Sequence, residues 1–181
     1  MQNGCEEIIL GMQQNPLQHE WYGMLGRYYM EQGKNNLAYL CYEQAIHFCN
    51  EPKEQQVLQE GLELAAGQPD FDVNPVSIVI LAQDDVSILR EALHSIQEQE
   101  SGTSYDVVVV YQPSHSQVYD WANDFEGVKV VCCDGRKESF ADGINTGIKY
   151  AGIYNDIYLM SSDAILLPNT LFWLRMCLYE R

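Results

Sequence analysis

Hydrophobic and polar positions change period along this chain, and the change divides it into a helical first part and a mixed second part. Up to position 67, apolar residues recur at helical spacing and are interrupted by prolines and glycines. Four helices are predicted there, at about 6–14, 18–32, 36–49 and 53–66. Their short connections predict antiparallel helical hairpins.

Beyond position 75, short runs that are apolar throughout alternate with helical patterns. The runs lie at 76–81, 107–110, 128–131 and 157–160. Strands without polar alternation, separated by helices, predict a mostly parallel sheet with helices on both faces. The expected fold class is therefore α/β, with a Rossmann-like sheet preceded by a small all-α module.

A short stiff segment separates the two parts. Residues 67–75 contain one glycine and two prolines in nine positions. We therefore expect a helical module at 1–67, a linker at 68–75 and an α/β domain at 76–181.

Polar side chains follow three of the predicted strands. They are Gln83 and Asp84, then Tyr111 and Ser114, then Ser161 and Asp163. Ligands of parallel sheets bind outside the carboxyl ends of the strands, so these residues suggest a polar crevice suited to a nucleotide. Asp163 could hold a divalent metal, Mn²⁺ or Mg²⁺, through oxygen; alternatively, it caps the turn that follows.

Composition excludes several classes of partner. The formal net charge is −16 without a basic patch, which argues against nucleic-acid binding and against docking on an anionic membrane. No apolar run approaches the roughly 20 residues needed to span a bilayer. The N-terminus also lacks the positive region of a signal peptide, so a cytoplasmic protein is expected.

The cysteines and histidines show no metal-binding spacing. The 6 cysteines form no C-x-x-C pair, and the 4 histidines are scattered. This favours buried free thiols in a reducing compartment over a disulfide framework.

Eight residues of the second and third predicted helices match a repeat signature. They are Tyr22, Leu25, Gly26, Tyr29, Gly33, Ala38, Tyr42 and Ala45. Their spacing resembles a tetratricopeptide repeat. The alternative is a generic helical hairpin with an aromatic core.

The same two helices carry many aromatic residues, namely Trp21, Tyr22, Tyr28, Tyr29, Tyr39 and Tyr42. These cannot all face inward, so we expect an exposed aromatic patch that docks a protein partner. The last predicted helix, at 169–179, is apolar on more than one face. Self-association, or packing against the helical module, is expected for it.

Four motifs follow one another in the second part: V-S-I-V-I at 76–80, L-x-x-x-L-x-S-I at 89–96, S-F-A-D-G-I-N-T-G-I at 139–148, and S-S-D at 161–163 followed by Pro168. Their order resembles the nucleotide-sugar half of a family 2 glycosyltransferase with the GT-A fold. The resemblance implies transfer of a sugar from a nucleotide-sugar to an acceptor hydroxyl in the complete enzyme. A tetratricopeptide module fused to such a domain is a familiar bacterial arrangement.

The resemblance also assigns roles to residues. It implies that Gln83 and Asp84 touch the base, that Asn145 lies beneath the diphosphate, and that Asp163 holds the metal. Ser114 either contributes to the nucleotide site or caps the next helix.

Two positions depart from the family pattern. Tyr111 stands where the family usually has an aspartate, and Ser161 stands where it has an acid or asparagine. These departures favour the alternative of a non-catalytic tetratricopeptide adaptor or scaffold with a degenerate glycosyltransferase domain. No catalytic residue can be assigned, because the family's acceptor half is expected beyond Arg181. We therefore expect the 181-residue chain alone to be inactive.

Overall fold

The computed structural model describes residues 2–82, 85–98, 103–115, 117–122, 125, 127–133 and 139–180, with the main chain alone described for 2–5, 115 and 121. The helices are α1 Gln2–Gln14, α2 His19–Glu31, α3 Asn35–Phe48, α4 Pro52–Ala66, α5 Val86–Glu98, α6 Gln117–Ala122, α7 Phe140–Tyr150 and α8 Thr170–Tyr179. The strands are β1 Val76–Leu81, β2 Tyr105–Tyr111, β3 Val128–Cys132 and β4 Asp156–Ser161. A 3-10 helix spans Pro113–His115.

The chain forms two compact units. The helical unit comprises Met1–Val73, Ser101–Thr103 and Asn169–Arg181, and the sheet unit comprises Asn74–Glu100 and Ser104–Pro168. Each unit is described by itself below.

The helical unit is built on the hairpin of α2 and α3. Gly33 turns the chain between them with a φ of 71°, a backbone conformation that glycine adopts without steric cost. Ala38 and Ala45 are fully buried, which lets the neighbouring helices approach closely. This is the hairpin that the sequence predicts, and its assignment as a tetratricopeptide repeat stays a prediction.

The aromatic residues of this hairpin do not form the exposed patch expected from the sequence. Tyr22 and Tyr42 are buried, and the other four are partly buried and pack against the same core. Burial raises the pKa of Tyr22 to about 12, and its hydroxyl donates a hydrogen bond of 2.7 Å to the carbonyl oxygen of Pro16. None of the six rings is fully exposed, because the helices flanking the hairpin cover much of its surface, and a docking role for the partly buried rings stays a prediction.

Helix α8 completes the core of the helical unit. Phe172 and Met176 belong to the same buried cluster as Tyr22 and Leu40. The rings of Phe172 and Tyr22 meet edge to face with centroids 5.3 Å apart. Packing against the helical module, one of the two outcomes expected for this apolar helix, is therefore confirmed, and self-association stays a prediction.

The sheet unit contains a four-stranded, all-parallel sheet in the order β3-β2-β1-β4 among its described residues. Val79 of β1 pairs with Val108 of β2 on one side and with Leu159 of β4 on the other. The α/β fold class with a parallel, Rossmann-like sheet is therefore confirmed.

Helices cover both faces of this sheet. Helix α7 lies on β1, β2 and β3, on the face that carries Val79, Val108 and Val110. Ile78 and Val109 occupy the alternate positions of β1 and β2, which face the opposite side of the sheet, and both are fully buried there. The continuous apolar runs of the sequence thus reflect burial on both sides.

Cysteines and membrane segments can be compared with their sequence expectations. Cys41, Cys49 and Cys133 are buried and not disulfide-bonded, whereas Cys132 and Cys177 are not disulfide-bonded but exposed, so the expected burial is wrong for these two. Among the described residues, no helix has the length and apolar character that a bilayer crossing requires.

Candidate functional site

The carboxyl ends of the strands are level with one another at one edge of the sheet, here called the carboxyl edge. Leu81 at the end of β1 pairs with Val110 and with Ser161. Tyr111 at the end of β2 pairs with Cys132. Since neighbouring strands lie about 4.8 Å apart, the ends of β2 and β4 are separated by about 10 Å. The structure therefore brings Tyr111 and Ser161 to the same edge, on either side of β1.

Ser161 and Asp163 form a pair at the tip of β4. The Ser161 hydroxyl donates a hydrogen bond to Oδ1 of Asp163. Both side chains are exposed, and the turn between them is closed by a 3.1 Å bond from the amide of Ala164 to the carbonyl of Ser161. The serine thus orients the carboxylate while it engages one of its two oxygens.

Tyr111 presents a neutral ring at the same edge. Its ring lies 6.0 Å from that of Tyr119, between centroids. Desolvation, and next a hydrogen bond with the Cys132 thiol, raise the pKa of Tyr111. The residue can therefore stack on a flat ligand, but it does not supply the charged acceptor that an aspartate would.

Helix α7 begins at the carboxyl edge. Gly143 lies against Leu81 and Gly147 against Val79, so the helix runs antiparallel to β1. Asn145 is exposed and lies about 200° around the helix from Gly143, on the side away from the sheet. The structure does not bring its side chain toward the tips of the strands.

The other predicted residues lie close to the edge or outside the described chain. Ser114 is exposed in the 3-10 helix that directly follows β2. Gln83 and Asp84, which follow β1, lie outside the described residues.

Two further carboxylates near this edge take part in the hydrogen bonds that cap helix starts. Asp85 accepts hydrogen bonds from the Ser87 amide at 2.9 Å and the Ser87 hydroxyl at 2.5 Å, and these bonds lower its pKa. At the start of α7, Ser139 accepts from the Asp142 amide at 3.2 Å and donates to its carboxylate at 2.6 Å. Asp163, unlike these two carboxylates, takes no part in a helix start.

A second cluster of side chains lies in the helical unit and was not predicted from the sequence. His19, Cys49 and Glu54 bring a nitrogen, a sulfur and an oxygen within 4.8 Å of one another. Their spacing along the chain follows no metal-binding motif, because they meet through the packing of three helix ends. The available signal was the predicted hairpin arrangement, which places the start of α2 near the connection of α3 and α4.

Comparison with known proteins gives little further guidance. No protein-family profile matches this chain, and no curated protein sequence matches it. Among solved structures, it is similar to the crystal structure of S. aureus TarS 1-349, with 20% sequence identity and a TM-score of 0.44. The match covers 54% of this chain and spans 30% of the length of that chain. A likeness of this extent carries no argument about function, which has to rest on the site itself.

Proposed function

We propose that the sheet unit is the donor-binding portion of a glycosyltransferase and binds a nucleotide-sugar at the carboxyl edge. The observation that carries the proposal is the Ser161–Asp163 pair, an oriented and exposed carboxylate at the tip of a parallel strand. Parallel α/β sheets bind their ligands at this edge. The motif order in the sequence, which resembles family 2 glycosyltransferases, supports the same assignment.

The residues at the edge suit the parts of such a donor. The Tyr111 ring can stack on the base, and Ser114 follows it on the same side of the sheet. Asp163 lies two strands away, about 10 Å across the sheet, where the diphosphate of an extended nucleotide would reach. Gln83 and Asp84 are proposed to complete the base contacts from the end of β1, whereas Asn145, on the far side of α7, has no part in this proposal.

The chemistry of Asp163 fits a divalent metal that arrives with the nucleotide. Mg²⁺ and Mn²⁺ prefer oxygen ligands, and Mg²⁺ is commonly held by one or two carboxylates together with substrate phosphates. A single oriented carboxylate therefore suits a metal shared with the diphosphate better than a metal held by the protein alone. When bound, the metal would neutralise charge on the departing diphosphate.

Calorimetry on the purified chain tests this proposal. We expect UDP, GDP or dTDP to give binding heat that increases when Mn²⁺ is added. Asp163→Asn should remove the metal dependence, because the amide retains the size of the carboxylate but not its charge. Asp156→Asn is the matched control, since it removes the same charge from the opposite end of β4. If no nucleotide gives heat with or without metal, the donor-site proposal is wrong.

The second candidate is an adaptor or scaffold in which the nucleotide site is degenerate. Tyr111 favours it, because a neutral phenol replaces the carboxylate acceptor that the resembled family uses. Nucleotide binding that is metal-independent and unchanged by Asp163→Asn would favour this candidate. Under either candidate function, we propose a cytoplasmic location and a protein partner for the helical unit.

A further inference from the structure

Three helix ends of the helical unit bring together side chains of three different chemical types. His19 is the first residue of α2, Cys49 is the residue that follows α3, and Glu54 lies in the first turn of α4. A ring nitrogen, the sulfur and a carboxylate oxygen all lie within 4.8 Å of one another. Nε2 of His19 is 2.7 Å from Oε2 of Glu54.

The three residues of this cluster differ in their exposure to solvent. The Cys49 residue is 2% exposed, while the side chains of His19 and Glu54 are 16% and 58% exposed. A cavity of about 290 Å³ opens beside the histidine and the glutamate, with Gly23 and Leu58 in its wall. The sulfur is thus held in the protein interior, and the carboxylate is free to adjust its position.

A fourth residue orients the histidine. Oε2 of Glu20 lies 3.4 Å from Nδ1 of His19, on the side of the ring opposite to Glu54. Metal-binding histidines commonly direct their second nitrogen at a carboxylate, which fixes the ring and the tautomer. Here that arrangement leaves Nε2 as the nitrogen directed at Glu54.

We propose that His19, Cys49 and Glu54 form a binding site for a divalent transition metal of the zinc class. Zn²⁺ takes imidazole nitrogen, thiolate sulfur and carboxylate oxygen, whereas Mg²⁺ and Ca²⁺ take oxygen alone. Three protein ligands leave a fourth position, which water fills from the adjoining cavity. This site differs in place and ligand type from the one proposed at Asp163.

The ligand atoms must move to hold the metal, and the sulfur, which lies within 4.8 Å of the other two atoms, must come to about 3.6 Å from each. Two tetrahedral ligands, each about 2.0–2.1 Å from zinc, lie about 3.3 Å apart, so the nitrogen and oxygen must separate by roughly half an ångström. Glu54 is exposed enough to make this shift. The thiol proton of Cys49 leaves to solvent as the thiolate binds, so metal affinity falls as the pH is lowered.

Metal bound here would join the start of α2 to the connection between α3 and α4. Because the unfolded chain does not hold these three ligands together, binding stabilises the folded helical unit. The proposed consequence is a helical unit whose melting temperature depends on the metal.

Cobalt titration of the reduced full chain tests the site. We expect one Co²⁺ per chain, with the near-ultraviolet absorption of a thiolate–cobalt bond and the visible bands of tetrahedral cobalt, and displacement by Zn²⁺. Cys49→Ser and His19→Ala should abolish the thiolate band or weaken binding at least tenfold. Glu20→Gln should weaken binding about tenfold while retaining the band, as expected for a residue that positions the ligand.

Matched controls separate this site from adventitious binding. Cys132→Ser and His47→Ala remove a thiol and an imidazole elsewhere and should leave the titration unchanged. His19→Ala keeps the proposal falsifiable if Cys49→Ser folds poorly, and circular dichroism in EDTA verifies folding for each variant. Absence of the thiolate band, its persistence in Cys49→Ser, or its loss in Cys132→Ser would each overturn the proposal.

Discussion

At the scale of single residues, the helical unit contains a buried ion pair between α8 and α3. Nη1 of Arg175 lies 2.6 Å from Oε2 of Glu43, and their side chains are 5% and 16% exposed. The same nitrogen donates to the hydroxyl of Thr103 at 3.1 Å. Burial raises the pKa of Glu43 above 4.5, and Arg175 offsets part of that rise. The free-energy cost of desolvating the Glu43 carboxylate therefore exceeds the stabilisation that Arg175 provides.

The sign of the pH dependence follows from this raised pKa. A carboxyl group whose pKa is higher in the folded state than in the unfolded state favours folding when it is protonated. The contribution of Glu43 to folding stability is fully present below its unfolded-state pKa near 4.5. It is lost as the pH rises through the pKa that Glu43 has in the folded state. Removing Arg175 raises the pKa of Glu43 in the folded state further, and so enlarges the loss of folding stability at higher pH.

We expect Arg175→Met to destabilise the protein by about 3–5 kcal/mol at pH 7, because it leaves the Glu43 carboxylate buried without its arginine. The deficit should shrink toward pH 4.5, where the carboxyl group can be protonated. Urea unfolding at several pH values measures it. The double variant Glu43→Gln with Arg175→Met should recover part of the loss at pH 7, and a deficit that does not change with pH would contradict this account.

At the scale of elements, the seating of α7 on the sheet depends on a residue without a side chain. A Cβ atom added at Gly147 would lie 2.3 Å from Cγ1 of Val79 and 2.9 Å from Cγ2 of Val110. Both distances are too short for carbon atoms that are not bonded, and both valines are fully buried. The helix could accept a methyl group here only by moving away from the sheet.

Gly147→Ala should therefore destabilise the sheet unit by about 1–3 kcal/mol, the usual cost of overpacking. This outweighs the gain of up to about 1 kcal/mol from the higher helix propensity of alanine. Thermal or urea unfolding measures the difference. Lys149→Ala, at an exposed position of the same helix, is the control, and Val79→Ala should relieve the clash in the double variant. Equal stabilities of Gly147→Ala and Lys149→Ala would contradict the close approach of α7 to the sheet.

The elements of this fold were largely readable from the sequence, because each leaves a local pattern. The run at 76–81 is apolar on both faces, and β1 is indeed buried on both. Asp85 stands directly before the apolar helical stripe of α5, where a capping residue is typical, and its side chain accepts hydrogen bonds from Ser87. Periodicity, caps and breaks are properties of neighbouring residues, so a single sequence contains them.

Features that depend on distant contacts were not readable. Helix α8 follows the last strand in sequence but belongs to the helical unit. Its apolar pattern predicted that it needs cover, but did not indicate whether the helical module or a second chain provides it. The convergence of His19, Cys49 and Glu54 likewise depends on how three helices pack. The candidate site lies between these cases: the strand tips were predictable from the order of elements, whereas the bond between Ser161 and Asp163 required the fold.

At the scale of the whole molecule, the chain leaves the helical unit after Val73, contributes Ser101–Thr103 to it, and returns to it at Asn169. The returning segment fills the core, since Phe172 is 1% and Met176 6% exposed. Asn169 accepts a 2.8 Å hydrogen bond from the side chain of Gln44, and its own amide donates to the Tyr22 hydroxyl at 3.1 Å. The helical unit is therefore discontinuous in sequence, and a fragment ending near position 73 would lack part of its own core.

Phe172→Ala should expose this dependence, because the cavity left by a buried phenylalanine costs about 3–5 kcal/mol. Hydrogen exchange measured by mass spectrometry should show loss of protection in α2 and α3, with β1 and β2 retaining theirs, since exchange reports the stability of each cooperative unit. Leu174→Ala, two residues along the same helix and 45% exposed, should leave both units protected. If the strands lose protection as fully as the helices in Phe172→Ala, the two units unfold as one, and the helical unit has no separate stability for α8 to support.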